Sequence, residues 1–179
     1  TAFTGQAIAV AFDRRYGALK RLGATALPVW AIIAGKAMAV VSVVFLQAIV
    51  LGGIGLALGW RPPAAGLLLG AGIIALGTAT FTAMGLLLGG TLKAEIVLAI
   101  ANLLWFVFAG LGALTLQSGT IPAALSWVAR LTPSGALTEA LSWAVSRSGA
   151  PAVDGVGIAV LALWGAVAAV AALRWFRFT

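Results

Sequence analysis

The sequence predicts an all-α, polytopic helical membrane protein, and three observations carry that prediction. Of the 179 residues, 63% are hydrophobic and only 8% charged, for a mean hydropathy of +1.14, which is far from the composition of a water-soluble domain. The apolar residues gather into four stretches, each long enough to cross a hydrocarbon core that takes about 20 helical residues. The charges, by contrast, are clustered: Arg14, Arg15, Lys20, Arg21 and Lys36 place five of the eleven basic residues in one segment, opposed there only by Asp13.

Taken in order, residues 1–11 are apolar but too short to span, and read as the end of a preceding crossing. The chain has no initiator Met at residue 1, which fits a fragment whose true N-terminus lies upstream. Residues 13–36 form a polar interruption that cannot lie in hydrocarbon. Asp13 is placed to cap a short helix from Arg14 to Leu22, with Lys20 and Arg21 near the negative end of its dipole and Gly23 closing it. Tyr16, Leu19 and Leu22 then share one face and Arg14, Arg15 and Arg21 lie off it, giving an amphipathic helix that lies flat on the membrane.

Residues 37–59 make the first full span, interrupted only by Ser42 and Gln47 and stopped by Trp60-Arg61-Pro62-Pro63. Residues 64–90 return. A polar turn at 91–95 leads into a third span over 96–116, in which Asn102 is the most polar interior residue. The stretch 117–151 predicts two short amphipathic helices, Ile121 to Leu131 with Pro122 near its first position, and Ser134 to Ser146 after the break at Pro133. Neither can span, so both are expected as re-entrant or interfacial helices. Residues 153–173 are the last crossing, closed by Arg174, Trp175, Phe176 and Arg177 at a membrane interface.

The parity of four spans can be tested against charge. With residues 13–36 and the C-terminus in the cytoplasm, eight basic residues lie inside, and Arg61, Arg130 and Arg147 lie outside. This obeys the positive-inside rule, and the reverse orientation violates it. The net charge of +7 and isoelectric point near 11.6 are thereby accounted for by topology, with no nucleic-acid partner expected.

Two motifs carry a resemblance. Asp13-Arg14, Gly17-Ala18-Leu19-Lys20-Arg21-Leu22, Thr25, Pro28 and Gly35-Lys36 follow one another ahead of a hydrophobic span. Ile121-Pro122-Ala123-Ala124-Leu125, Leu131-Thr132-Pro133 and then Glu139 precede the last span. In order and spacing these resemble the ABC-2 type transporter permease family, in which the first segment carries a coupling helix that docks on an ATPase subunit, and short helices precede the sixth membrane helix. Asp13 stands where Glu is more usual, Ala18 where Thr is common and Ala26 where a proline often sits, with Pro28 available for that turn. The resemblance implies a permease subunit paired with a second one and with a cytoplasmic ATPase, which would bind the ATP and Mg. It also implies an ATPase-coupling interface at Asp13, Arg14, Arg15, Tyr16, Leu19, Lys20 and Leu22.

Absences bear on mechanism. With no cysteine or histidine, the chain offers no disulfide, thiolate metal site, Cys nucleophile or His acid–base chemistry. The span interiors hold no ionisable residue of the kind an ion-driven transporter keeps. A phosphate-cradling loop is missing too, since Gly35-Lys36 has Trp30 at the required glycine position and Ala37 where Ser or Thr is needed. A transporter built this way needs a separate motor, which is the role the coupling helix would serve.

The expectation is therefore a non-enzymatic permease of an ATP-binding-cassette exporter in a bacterial cell membrane, moving a drug, antibiotic or lipid-like molecule. The alternative is a non-transporting scaffold whose basic segment binds anionic headgroups. Gln47 and Asn102 are candidates for a substrate path or a helix interface, although mid-membrane amides more often join helices. Glu139 is a candidate outer gate, or a partner for a nearby Arg. Trp105, Phe106 and Phe108 suit lipid or packing contacts. The Gly-x-x-x-Gly pairs at 55/59, 66/70 and 85/89 permit close helix packing.

Overall fold

A computed structural model describes residues 2–18, 29–117, 122–145 and 152–176. These form helices α1 (Thr4–Arg15), α2 (Val29–Ala57), α3 (Ala64–Thr91), α4 (Ala94–Thr115), α5 (Ala123–Arg130), α6 (Pro133–Ala144) and α7 (Gly155–Trp175), with no strand among the described residues. Four helices are long and apolar enough to cross a membrane: α2 over Ala34–Ala57, α3, α4 and α7. The chain is an all-helical, multi-pass membrane protein, with its spans where the apolar stretches lie.

Local chemistry sets the helix ends. Gly59 at φ 92° ends α2 in a Schellman turn, its N–H bonding Leu56 O while the Trp60 N–H bonds Gly55 O. The Gly55/Gly59 pair therefore builds a turn and no helix crossing. Thr91 closes α3 by donating its hydroxyl to Leu87 O at 2.7 Å. Thr132 caps α6, its hydroxyl accepting from Gly135 N, and Pro133 fills the first turn where its missing N–H costs nothing. Both short helices thus occur where the prolines place them.

The expected helix from Arg14 to Leu22, capped by Asp13, is corrected at its start. Asp13, Arg14 and Arg15 are the last turn of α1, and the helix ends at Tyr16 and Gly17. Gly17 has φ 73° and bonds Arg14 O, a left-handed closure that an L side chain resists. The reason is continuity: Ala7, Val10 and Ala11 bury one face of α1 and carry the helix through the charged residues. Ala18 is helical again, while Leu19, Lys20, Arg21, Leu22 and Gly23 lie outside the described residues.

The chain divides into two compact units. The first holds residues 1–44, 78–105 and 165–179. In it α1 lies close against α3, because a methyl group on Gly85 would meet the carbonyl of Phe3 and one on Gly89 the carbonyl of Ala7. This glycine pair is a true small-residue crossing, of the kind that lets helices associate in lipid where burial of apolar surface gives no drive. The second unit holds residues 45–77 and 106–164. There Ile73 of α3 packs with Ala140 and Ala144 of α6, surrounded by Leu69, Leu137, Leu141, Val145 and Ile158. The α3 and α6 backbones approach closely at Gly66, where a methyl group would strike Ala144 O.

Candidate functional site

In the first unit, three consecutive charged residues at the end of α1 reach three different helices. Asp13 Oδ2 accepts from Lys36 Nζ of α2 at 2.6 Å. Arg14 Nη1 donates to Gly89 O at 2.9 Å and to Leu92 O at 3.1 Å. These carbonyls lie at the C-terminal end of α3, where the helix leaves acceptors without internal partners and its dipole favours a cation. Arg15 Nη1 pairs with Glu95 Oε1 at 2.5 Å, an exposed bridge to the first turn of α4. An acidic residue in a last helical turn opposes the dipole, and Lys36 together with the two arginines offsets that cost at Asp13.

Tyr16 differs from its neighbours. It is 72% exposed, and its ring stacks on Phe12 one turn back, with centroids 6.0 Å apart. Of the residues expected at the coupling interface, Asp13, Arg14 and Arg15 are thus engaged within the chain and Tyr16 faces outward. Leu19, Lys20 and Leu22 lie outside the described residues.

A second polar cluster occupies the other unit. Arg130, at the end of α5, meets Glu139 of α6 (Nε to Oε2, 3.1 Å) and Asp154, just ahead of α7 (Nη2 to Oδ1, 2.8 Å). Its guanidinium also lies over the Trp127 ring, 5.4 Å from the centroid. Asp154 is 3% exposed. One cation serving two carboxylates leaves the cluster a net negative charge, and Glu139 carries the consequence. Burial raises its pKa above the ordinary value, Arg130 lowers it in part, and Asp154 raises it further. The indole of Trp164 on α7 donates to Leu131 O at 3.0 Å and fixes the end of α5.

The partner for Glu139 is therefore Arg130. Asp154 escaped sequence reasoning, although a signal existed: the chain has four carboxylates, and each of the four, Asp13, Glu95, Glu139 and Asp154, is ion-paired. Gln47 lies exposed on α2, and its side-chain amide makes no hydrogen bond among the described residues. Asn102, exposed on α4, donates its amide to Leu98 O of its own helix at 2.9 Å. Neither amide joins two helices within the described chain.

The family model for the ABC-2 type transporter matches residues 1–145. The chain belongs to the ABC-2 type transporter family. The matched stretch of this ABC-2 chain includes α1 with its three charged residues, the segment 16–28, the spans α2, α3 and α4, and the short helices α5 and α6. No curated protein and no solved structure matches the chain.

Proposed function

We propose that the chain is the membrane-spanning subunit of an ATP-driven exporter, working beside a second permease subunit and two cytoplasmic ATPase subunits that bind the ATP and Mg. The family match over residues 1–145 is the observation that carries this reading. The segment 16–35 is the coupling surface, with Tyr16, Leu19, Lys20 and Leu22 as the residues that meet the ATPase. Support comes from the exposure of Tyr16 and from the family motif that these residues continue.

The basic segment and the C-terminus face the cytoplasm of a bacterial cell, as the distribution of Lys and Arg favours. Closure of the ATPases on ATP displaces the coupling segment, and the spans convert that displacement into opening toward the outside. The substrate is an amphipathic or hydrophobic molecule, such as a drug, an antibiotic or a lipid. α3 contains no charged residue, and the only ones in α4 and α7 are Glu95 in the first turn and Arg174 in the last, which leaves no built-in recognition of a strongly charged cargo.

The test is affinity purification of the full-length protein from its native membrane in mild detergent, with mass-spectrometric identification of its companions. Stoichiometric recovery of an ATPase with a phosphate-binding loop, lost on joint Tyr16→Ala and Leu19→Ala substitution, is the expected result. Reproducible recovery without an ATPase overturns the reading.

A further inference from the structure

The residues around Gly17 divide into two chemically distinct groups. Before the glycine, Asp13, Arg14 and Arg15 each end on another helix of the same chain. After Arg15 comes Tyr16, whose side chain is open. A residue that docks on a partner needs free donors or free surface. Arg14 offers little of either, since it is partly buried and its Nη1 is directed at two carbonyls. The bonds of Asp13 and Arg14 also cross long sequence separations, 23 residues to Lys36 and 75 and 78 to Gly89 and Leu92. They are tertiary ties. Local helix pairs would lie three or four residues apart.

We propose that Asp13, Arg14 and Arg15 are positioning residues that fasten the base of the coupling segment to α2, α3 and α4 and make no contact with the ATPase. This inference rests on the proposed coupling role of residues 16–35 and adds its transmission path. Displacement that reaches the end of α1 is handed to three helices, the tie from Arg14 to α3 being the stiffest. That tie uses a partly buried guanidinium on carbonyls at the negative end of a helix. The exposed Arg15–Glu95 pair is the weakest of the three. Shear between α1 and α3 is further limited by the glycine crossing at Gly85 and Gly89, which leaves no slack between their backbones.

The chain contains no cysteine, so one introduced thiol reports without background. Leu68→Cys places it at an exposed position of α3, and its labelling rate with a water-soluble maleimide is measured on the complete complex in lipid vesicles, with and without ATP and vanadate. In the parent, nucleotide is expected to change the rate several-fold. Asp13→Lys alone and Lys36→Asp alone abolish that change, the two together restore it, and Arg14→Gln abolishes it, while all variants keep the ATPase bound at parental stoichiometry. Retention of the ATPase at parental stoichiometry separates this outcome from that of a pair that only stabilises the fold, whose loss would lower assembly together with the response. The proposal is overturned if the single variants respond like the parent, if the exchanged pair stays unresponsive, or if Arg14→Gln strips the ATPase from the complex. Should Arg14→Gln fail to fold, the exchange of Asp13 and Lys36 decides alone. An unsubstituted chain that retains no ATPase overturns the functional reading itself, at the purification step and before any labelling.

Discussion

Lys36 reaches back across 23 residues to Asp13, Nζ to Oδ2 at 2.6 Å, and so joins the two ends of the polar segment. The pair is partly exposed, the carboxylate more than the ammonium, and solvent screening holds its worth to about 0.5 kcal/mol. A double-mutant cycle with Asp13→Asn and Lys36→Met, read by thermal unfolding in detergent, should return a coupling of that order that shrinks with added salt. Its role in stability is small, whatever its role in coupling.

The Arg130 cluster should behave differently, because Asp154 is buried. Arg130→Gln leaves two carboxylates facing one another without their cation, and a loss of about 3 kcal/mol is expected, the usual cost of stranding a buried charge. Unfolding of the detergent-solubilised protein followed by proteolytic susceptibility measures it. A loss under about 1 kcal/mol would mean that Arg130 is no more than a surface pair.

Glu139 makes stability depend on pH with a definite sign. Its folded pKa is raised, so between the ordinary glutamate value and the raised one the folded chain holds a proton that the unfolded chain has released. In that window acidification adds stability, and above it the ionised carboxylate is a burden. Glu139→Gln should therefore melt no lower than the parent at neutral pH, and the difference between the two should narrow as the pH falls through the raised value. Melting curves of both proteins across pH 4.5 to 8 provide the check, and a difference that widens on acidification refutes the sign.

The α1–α3 crossing tolerates no bulk. Gly89→Leu forces side-chain atoms against Ala7 and Val10, and a penalty of at least about 1–3 kcal/mol follows from overpacking. Size-exclusion profiles of a fluorescent fusion should show loss of the monodisperse peak. Gly72→Ala is the control, because nothing lies within 4 Å of a methyl group there, and its profile should match the parent.

The spans were legible because hydropathy over 20 residues is a strong, one-dimensional signal, and α2, α3, α4 and α7 needed nothing else. The short helices α5 and α6 were legible from Pro122 and Pro133, whose ring chemistry marks helix starts. The end of α1 was not. Capping is a local rule, and Asp13 satisfies it on paper, but burial of Ala7, Val10 and Ala11 keeps the chain helical through Asp13 and leaves Gly17 to end it. The Arg130 cluster was also hidden. Arg130, Glu139 and Asp154 come from three separate elements, and only the fold brings them together. Gly85 and Gly89 stood among 23 glycines, and spacing alone could not separate a helix crossing from the turn that Gly55 and Gly59 build.

The ties made by α1 impose an order on biogenesis. When the last turn of α1 is synthesised, none of its three partners has yet been made. Lys36 follows 23 residues behind Asp13, whereas Gly89 and Leu92 follow 75 and 78 behind Arg14. At about 5–20 residues per second, roughly 3 to 10 s of synthesis separates the two events. Through that interval Arg14 lacks the two carbonyls at the end of α3 on which it comes to rest. The Asp13–Lys36 pair is the only one of these contacts available to keep α1 and α2 in register until α3 is inserted beside them.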